Sequence, residues 1–126
     1  MAARTRNTRQ LRAILDVLDR ANRPVSVEEI FGSAKMSEPG LGVATVYRAM
    51  KSLMEAGSVV SITLPGEGPR FESAGKGHHH HIRCSDCGRV FDTKACLGNL
   101  RRLVPRRFEL TGHDLTLYGR CADCRA

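Results

Sequence analysis

Tryptophan is missing from this 126-residue chain, and aromatic side chains make up only 5% of it. A core built from such a sequence is aliphatic. Little is left for stacking bases, which argues against an RNA-binding zinc protein. Also missing is any run near the roughly 18 apolar residues that a membrane span requires. The arginine-rich start leads into no apolar segment, so a cytoplasmic protein without a secretory signal or a membrane partner is expected. There is no low-complexity tract and no internal repeat. A helical His-Glu-x-x-His is absent as well. A zinc-dependent hydrolase, which needs an open metal position beside a general base, is therefore the minor reading, and no enzyme is expected.

What is present is basic. The net charge is +7, a balance that favours polyanions, nucleic acid first. Residues 1–74 hold ten basic and eight acidic side chains, and residues 75–126 hold ten and five. The totals do not say which half meets DNA. The order does, because Arg4, Arg6, Arg9 and Arg12 precede every acid, as a basic arm. The length allows one ordinary domain or two small ones, and small domains usually need a metal, disulfides or a partner subunit.

Three short helices open the chain. Thr8 is read as a cap for a helix in which Leu11, Ile14, Leu15 and Leu18 form one apolar stripe, ended by Asn22-Arg23-Pro24. Ser26 with Glu29 makes a capping box for a helix burying Val27, Ile30 and Phe31. A third helix over 43–56 buries Val46, Met50, Leu53 and Met54 and is stopped by Gly57. Residues 58–64 are β-branched and read as a strand, residues 65–69 as a turn, and Arg70-Phe71-Glu72 as its return. Three helices and a hairpin form a winged helix over 1–74. Gly75-Lys76-Gly77 reads as a hinge. The remainder, 78–126, is a small α/β unit with strands near 80–82, 89–91, 108–110 and 115–118 and a helix over 96–104. The fold class is therefore α+β.

Cys84-x-x-Cys87 and Cys121-x-x-Cys124 carry the strongest chemical signal. Thiols in a reducing compartment stay free, so paired cysteines point to metal. Each pair can bite one ion from a tight turn, and two pairs complete a closed tetrahedral thiolate site, structural rather than catalytic. The internal run His78-His79-His80-His81 adds imidazoles. In an extended segment alternate residues face opposite ways, so His78 and His80 serve one site and His79 and His81 another. His113, Cys96, Glu72 and Asp92 are further ligand candidates. Cys96 also falls in line with Leu100 and Leu103, where it would be a core cysteine. On the third helix, Ala44-Thr45-Val46-Tyr47-Arg48 offers side chains for base edges and phosphates, although a solvated helix face would carry the same residues.

The order of these parts resembles the ferric uptake regulator (Fur) superfamily. The Ala-Thr-Val-Tyr-Arg helix, Arg70-Phe71-Glu72, the histidine run, Cys84-x-x-Cys87-Gly88 and Tyr118-Gly119-x-Cys121-x-x-Cys124 carry the resemblance over nearly the whole chain. It implies a homodimeric, metal-dependent repressor that binds an operator in double-stranded DNA, with an N-terminal winged helix, a hinge and a C-terminal dimerisation domain. On that resemblance Cys84, Cys87, Cys121 and Cys124 match a structural zinc site. His78, His80 and His113 match three ligands of a regulatory site in the dimerisation domain. Its usual fourth ligand, a glutamate, is replaced by Asn99, and Cys96 can take its place. Glu72, His79, His81 and Asp92 match a second, hinge-side sensory site. The histidine that many members add to it from the winged helix is Pro24 here, a departure that weighs against peroxide sensing. Tyr47 and Arg48 match base-contacting residues of the recognition helix, with Thr45 and Lys51 beside them, and Arg6 matches a residue reaching the minor groove. A set of three histidines and one cysteine suits zinc, so zinc sensing and control of metal-uptake genes are expected; Fe2+ or Mn2+ sensing is the alternative.

Overall fold

The computed structural model describes residues 2–93, 96, 98 and 100–125, with side chains from residue 6 onward. The chain divides into two compact units, Met1–Lys76 and Gly77–Ala126. The division falls inside the Gly75-Lys76-Gly77 segment.

In the first unit, helices α1 (Ala2–Ala21), α2 (Val27–Ser37) and α3 (Val43–Glu55) precede strands β1 (Val59–Thr63) and β2 (Pro69–Ser73). The strands pair antiparallel, with Val59 opposite Ser73 and Thr63 opposite Pro69. Val25, between α1 and α2, bridges Phe71 through two backbone hydrogen bonds of 2.8 and 2.9 Å. This is a winged helix. Ser26 caps α2 by accepting the N–H of Glu29 at 3.1 Å. Gly57, at φ +76°, ends α3 in the left-handed region that a side chain disfavours.

The core is aliphatic. Ile14, Ile30 and Val46 are fully buried, with Met50, Val25, Leu18 and Val27 around them. Burying each such side chain contributes about 1.5–3 kcal/mol. Three expectations fail in detail. Helix α1 begins at Ala2, so Thr8, expected to cap a helix that follows it, is interior, and the basic arm of Arg6, Arg9 and Arg12 lies within this helix. The buried line of α1 runs through Gln10, Ala13, Ile14 and Leu18, which leaves Leu11 and Leu15 exposed beside it. Met54, at the end of α3, is exposed too.

In the second unit, β3 (His81–Cys84) is central, antiparallel to β4 (Val90–Asp92) and parallel to β5 (Thr116–Gly119). His81 stands opposite Asp92 on one side and Thr116 on the other. One turn of 3-10 helix spans Arg101–Leu103, and α4 (Ala122–Arg125) closes the chain. Among the described residues the expected helix over 96–104 is not found: Cys96, Gly98 and Leu100 are irregular, and Gly98 has φ +78°. Nor is 108–110 a strand; Phe108 stands exposed after Arg107, itself at φ +73°. Pro105 removes a helical N–H, and Gly98 carries its own helix penalty. Among the described residues only Cys84, Val90 and His80 of this unit are buried. Apolar packing alone does not hold so thin a core.

Candidate metal centres and nucleic-acid interface

Two features of the sequence bring ligands together in the second unit. Alternation along the extended histidine run sends His78 and His80 one way and His79 and His81 the other. The parallel β3–β5 pairing brings the segments after each strand side by side, and with them the two cysteine pairs.

The first group is His78, His80, Cys96 and His113. The Nε2 atom of His80 lies 3.1 Å from that of His78 and 3.1 Å from that of His113. The Cys96 sulfur is 3.2 Å from Nε2 of His80, 3.4 Å from that of His78 and 3.3 Å from that of His113. An imidazole nitrogen has one hydrogen or one lone pair to offer. Three such nitrogens and a thiol converging on one point cannot all satisfy one another by hydrogen bonds; a central cation satisfies all four. Around a zinc ion with bonds of 2.0–2.3 Å, ligand atoms stand about 3.3–3.8 Å apart along the tetrahedral edges. The donor set fits such an ion.

His80 is buried, and burial together with the neighbouring His78 and His113 lowers its pKa below 6.5, keeping the ring neutral. Cys96 is exposed rather than part of a core. It does not open a helix, so no helix dipole acts on it; the N–H of Gly98 donates to its sulfur at 3.4 Å instead. Asn99, at the position of the family glutamate, lies outside the described residues.

The second group is Cys84, Cys87, Cys121 and Cys124. Sulfur separations are 3.7 Å for Cys84–Cys124 and 3.9 Å for Cys87–Cys121, tetrahedral edges rather than disulfide bonds. Cys84 is buried and accepts backbone N–H groups of Cys87 and Cys121, each at 3.4 Å. These donors lower its pKa from 9.0 to about 5. The thiol of Cys87 is lowered chiefly by Arg89, whereas Cys124 is pushed up to about 12 by its sulfur neighbours, Cys121 first. Gly88, at φ +78°, turns the chain so that its N–H reaches the Cys84 carbonyl at 2.9 Å.

A third cluster gathers His79, His81 and Asp92. Both Nε2 atoms lie 3.3 Å from Oδ1 of Asp92, and the two rings meet edge to face at 4.9 Å. Glu72, the remaining residue of that expected set, is buried on β2 of the first unit, where its carboxylate meets Lys76 at 3.2 Å.

On α3, Tyr47, Arg48 and Lys51 are exposed and Thr45 is half-buried. Arg48 donates to the Thr45 hydroxyl at 3.1 Å. On α1, Arg6 is exposed. The sequence reading missed four charged residues around the cysteines: Asp86, Arg89, Arg120 and Asp123. Their signal was the aspartate before the second cysteine in both Cys-Ser-Asp-Cys and Cys-Ala-Asp-Cys.

The fold and the sites together define a class: a winged helix followed by a small unit whose histidines and cysteines converge in tetrahedral sets. The sequence profile of the Ferric uptake regulator family matches residues 2–118, and the chain belongs to that family, one of regulators rather than enzymes. It is 35% identical over 122 residues to the ferric uptake regulation protein of Campylobacter jejuni, covering 93% of this chain and 78% of the relative. It superposes on a zinc-bound manganese uptake regulator with a TM-score of 0.75 at 26% identity, over 89% of this chain and 87% of the other. The ferric uptake regulator of Helicobacter pylori, a structure with three functional metal binding sites, matches with a TM-score of 0.68 at 26% identity, over 93% and 80%.

Proposed function

We propose that this chain is a zinc-responsive repressor that binds operator DNA as a homodimer and controls metal-uptake genes. The observation that carries it is the convergence of His78, His80, His113 and Cys96 on one point. Thiolate plus imidazole favours a borderline-soft ion over the harder ions that prefer carboxylates. The same reading assigns a structural zinc to Cys84, Cys87, Cys121 and Cys124, in a closed set with no open position. An ion bound by the first group ties three segments together: the residues before β3, the loop at Cys96 and the residues before β5. It acts as a switch to the extent that it favours the DNA-competent arrangement over the slack one.

Iron or manganese is the second reading. The His79, His81 and Asp92 cluster, which contains a carboxylate, favours it, as does the ferric uptake name of the Campylobacter jejuni relative. For DNA, α3 offers Tyr47, Arg48 and Lys51, with Thr45 behind Arg48. Arg6 on α1 adds positive charge. For dimerisation, Leu103, Phe108, Leu117 and Tyr118 form exposed apolar surface in a unit with few buried residues.

The test is binding to duplexes selected from a randomised pool, measured with zinc, ferrous iron and manganese over free-metal series, with mass by light scattering. Zinc-dependent retardation of a two-fold symmetric duplex by a dimer is expected. Retardation that follows iron or manganese and ignores zinc rejects zinc sensing, and a monomer rejects the dimer.

A further inference from the structure

Each cysteine pair carries an aspartate just before its second cysteine, and each aspartate is held by an arginine from the other pair's side. Arg89 donates to Asp123 Oδ2 at 2.9 Å, and Arg120 donates to Asp86 Oδ2 at 2.8 Å. Arg120 also donates to the Cys124 carbonyl at 3.0 Å, and the Ser85 N–H donates to the Gly119 carbonyl at 2.7 Å. The two ion pairs cross-link the two turns reciprocally. Arg89 does more than Arg120, because its Nε lies 3.2 Å from the Cys87 sulfur and its Nη2 lies 3.5 Å from the Cys121 sulfur. Phe91 supports the guanidinium from 5.6 Å.

We propose that Arg89 is a positioning residue for the structural zinc: its guanidinium caps the sulfurs of Cys87 and Cys121, aimed by Asp123, and slows both loss of the ion and attack on the thiolates. The proposal rests on reading the four cysteines as a zinc site. Four thiolates around Zn2+ leave a net charge of −2. The buried Cys84 sulfur is already served by two backbone donors. Cys87 is exposed and is the weak point, where a proton or an electrophile would reach the site first. Two N–H groups of a cation on two sulfurs withdraw electron density and offset that charge. Arg120, which touches no sulfur, only holds the turns together.

The experiment uses the zinc-loaded full chain and follows zinc transfer to a chromophoric chelator. In parallel, mass spectrometry reads alkylation by iodoacetamide at Cys87. Arg89→Met is expected to raise both rates about tenfold, the scale of a charge-assisted hydrogen bond, and Arg89→Lys to restore most of the difference. Arg120→Met is expected to speed zinc transfer without increasing the preference for Cys87. Asp123→Asn provides a milder probe in case Arg89→Met does not fold. Its Cys87 is expected to alkylate faster than in the parent chain. The parent's zinc release is expected to quicken with salt as the exposed pair is screened, and the variant's to respond less. Unchanged rates in both Arg89→Met and Asp123→Asn overturn the proposal. A Cys84→Ser variant separates the two failures: if it keeps its full zinc content, the zinc-site reading itself fails.

Discussion

The Cys96 sulfur lies 3.2 Å from Nε2 of His80, sixteen residues earlier in the chain. The two come from different segments, one exposed and irregular, the other buried at the start of the three-stranded sheet. A ligand set spread over separate segments gives a metal something to organise. Removing one ligand should therefore cost both affinity and order.

Cys96→Ala is expected to remove the sulfur-to-metal charge-transfer band of the cobalt-loaded regulatory site and to weaken zinc binding there about 100-fold or more. Losing even a partner of a ligand typically costs 10–100-fold. The four-cysteine zinc should remain. His80→Ala should abolish zinc-dependent DNA binding, and His79→Ala should do less. If His79→Ala is the variant that removes the response, the sensor is the His79, His81 and Asp92 cluster instead.

The four-cysteine site also has a pH signature. Backbone N–H donors, that of Cys87 foremost, depress the Cys84 pKa from 9.0 to about 5. A depressed folded-state value means that the folded form holds its proton less tightly than the unfolded form. The stabilisation is present in full above pH 9.0 and is lost as pH falls through about 5. With zinc removed, the part of the unfolding free energy that Cys84→Ser abolishes should therefore shrink progressively as pH falls from about 9 to about 5 and level off below. A difference between the parent chain and Cys84→Ser that does not change over that range would contradict the backbone-donor account.

Much of this was readable from residue spacing. Ser26 with Glu29, the Val46 and Met50 face and Gly57 gave the second and third helices, because caps and periodicity act locally. The two Cys-x-x-Cys pairs and the alternation of His78 to His81 pointed to the side-chain clusters for the same reason. What was not readable depended on distant partners. Which face of α1 is buried follows from how α2 and α3 seat against it, so Leu11 and Leu15 were misassigned. Residues 96–104 carry leucines at helical spacing, but Gly98 and Pro105 oppose a regular helix. The arginines that hold Asp86 and Asp123 lie across the cysteine turns, and no sequence period links them.

One buried charge network in the winged helix had no sequence signature either. Glu29 accepts Arg23 Nη2 at 2.6 Å and lies 3.7 Å from Arg70 Nη1, while Arg70 also meets Glu67 at 3.5 Å. The side chains of Arg23 and Arg70 are only 17% and 13% exposed, so neutralising Glu29 removes a carboxylate that two poorly solvated cations share. Glu29→Gln is expected to cost about 1–3 kcal/mol in denaturant unfolding, below the 3–5 kcal/mol seen for fully buried pairs. Ser26→Ala, which removes only the helix cap, should cost about 1 kcal/mol. If Glu29→Gln is as stable as the parent chain, this network contributes nothing to the wing.

The contacts expected to DNA can be separated by salt. Arg48 stands exposed on α3 with its guanidinium anchored on Thr45 at 3.1 Å, a placement suited to a base edge in the major groove. Arg6 is exposed on α1, where a point charge suits a phosphate or the minor groove. Loss of a base contact should flatten the preference among duplexes by about 1–3 kcal/mol without changing the salt dependence much. Loss of a phosphate contact should weaken all duplexes alike and reduce the slope of log K against log salt by about 0.9 per contact. Arg48→Ala is therefore expected to bind selected and scrambled duplexes more nearly equally, with an unaltered slope. Arg6→Ala should keep the ratio and lower the slope by about 0.9. Measured by anisotropy over a salt series with zinc held constant, the reverse pattern would exchange the two roles. Parent-like behaviour in both variants would move the DNA-binding face away from α1 and α3 altogether.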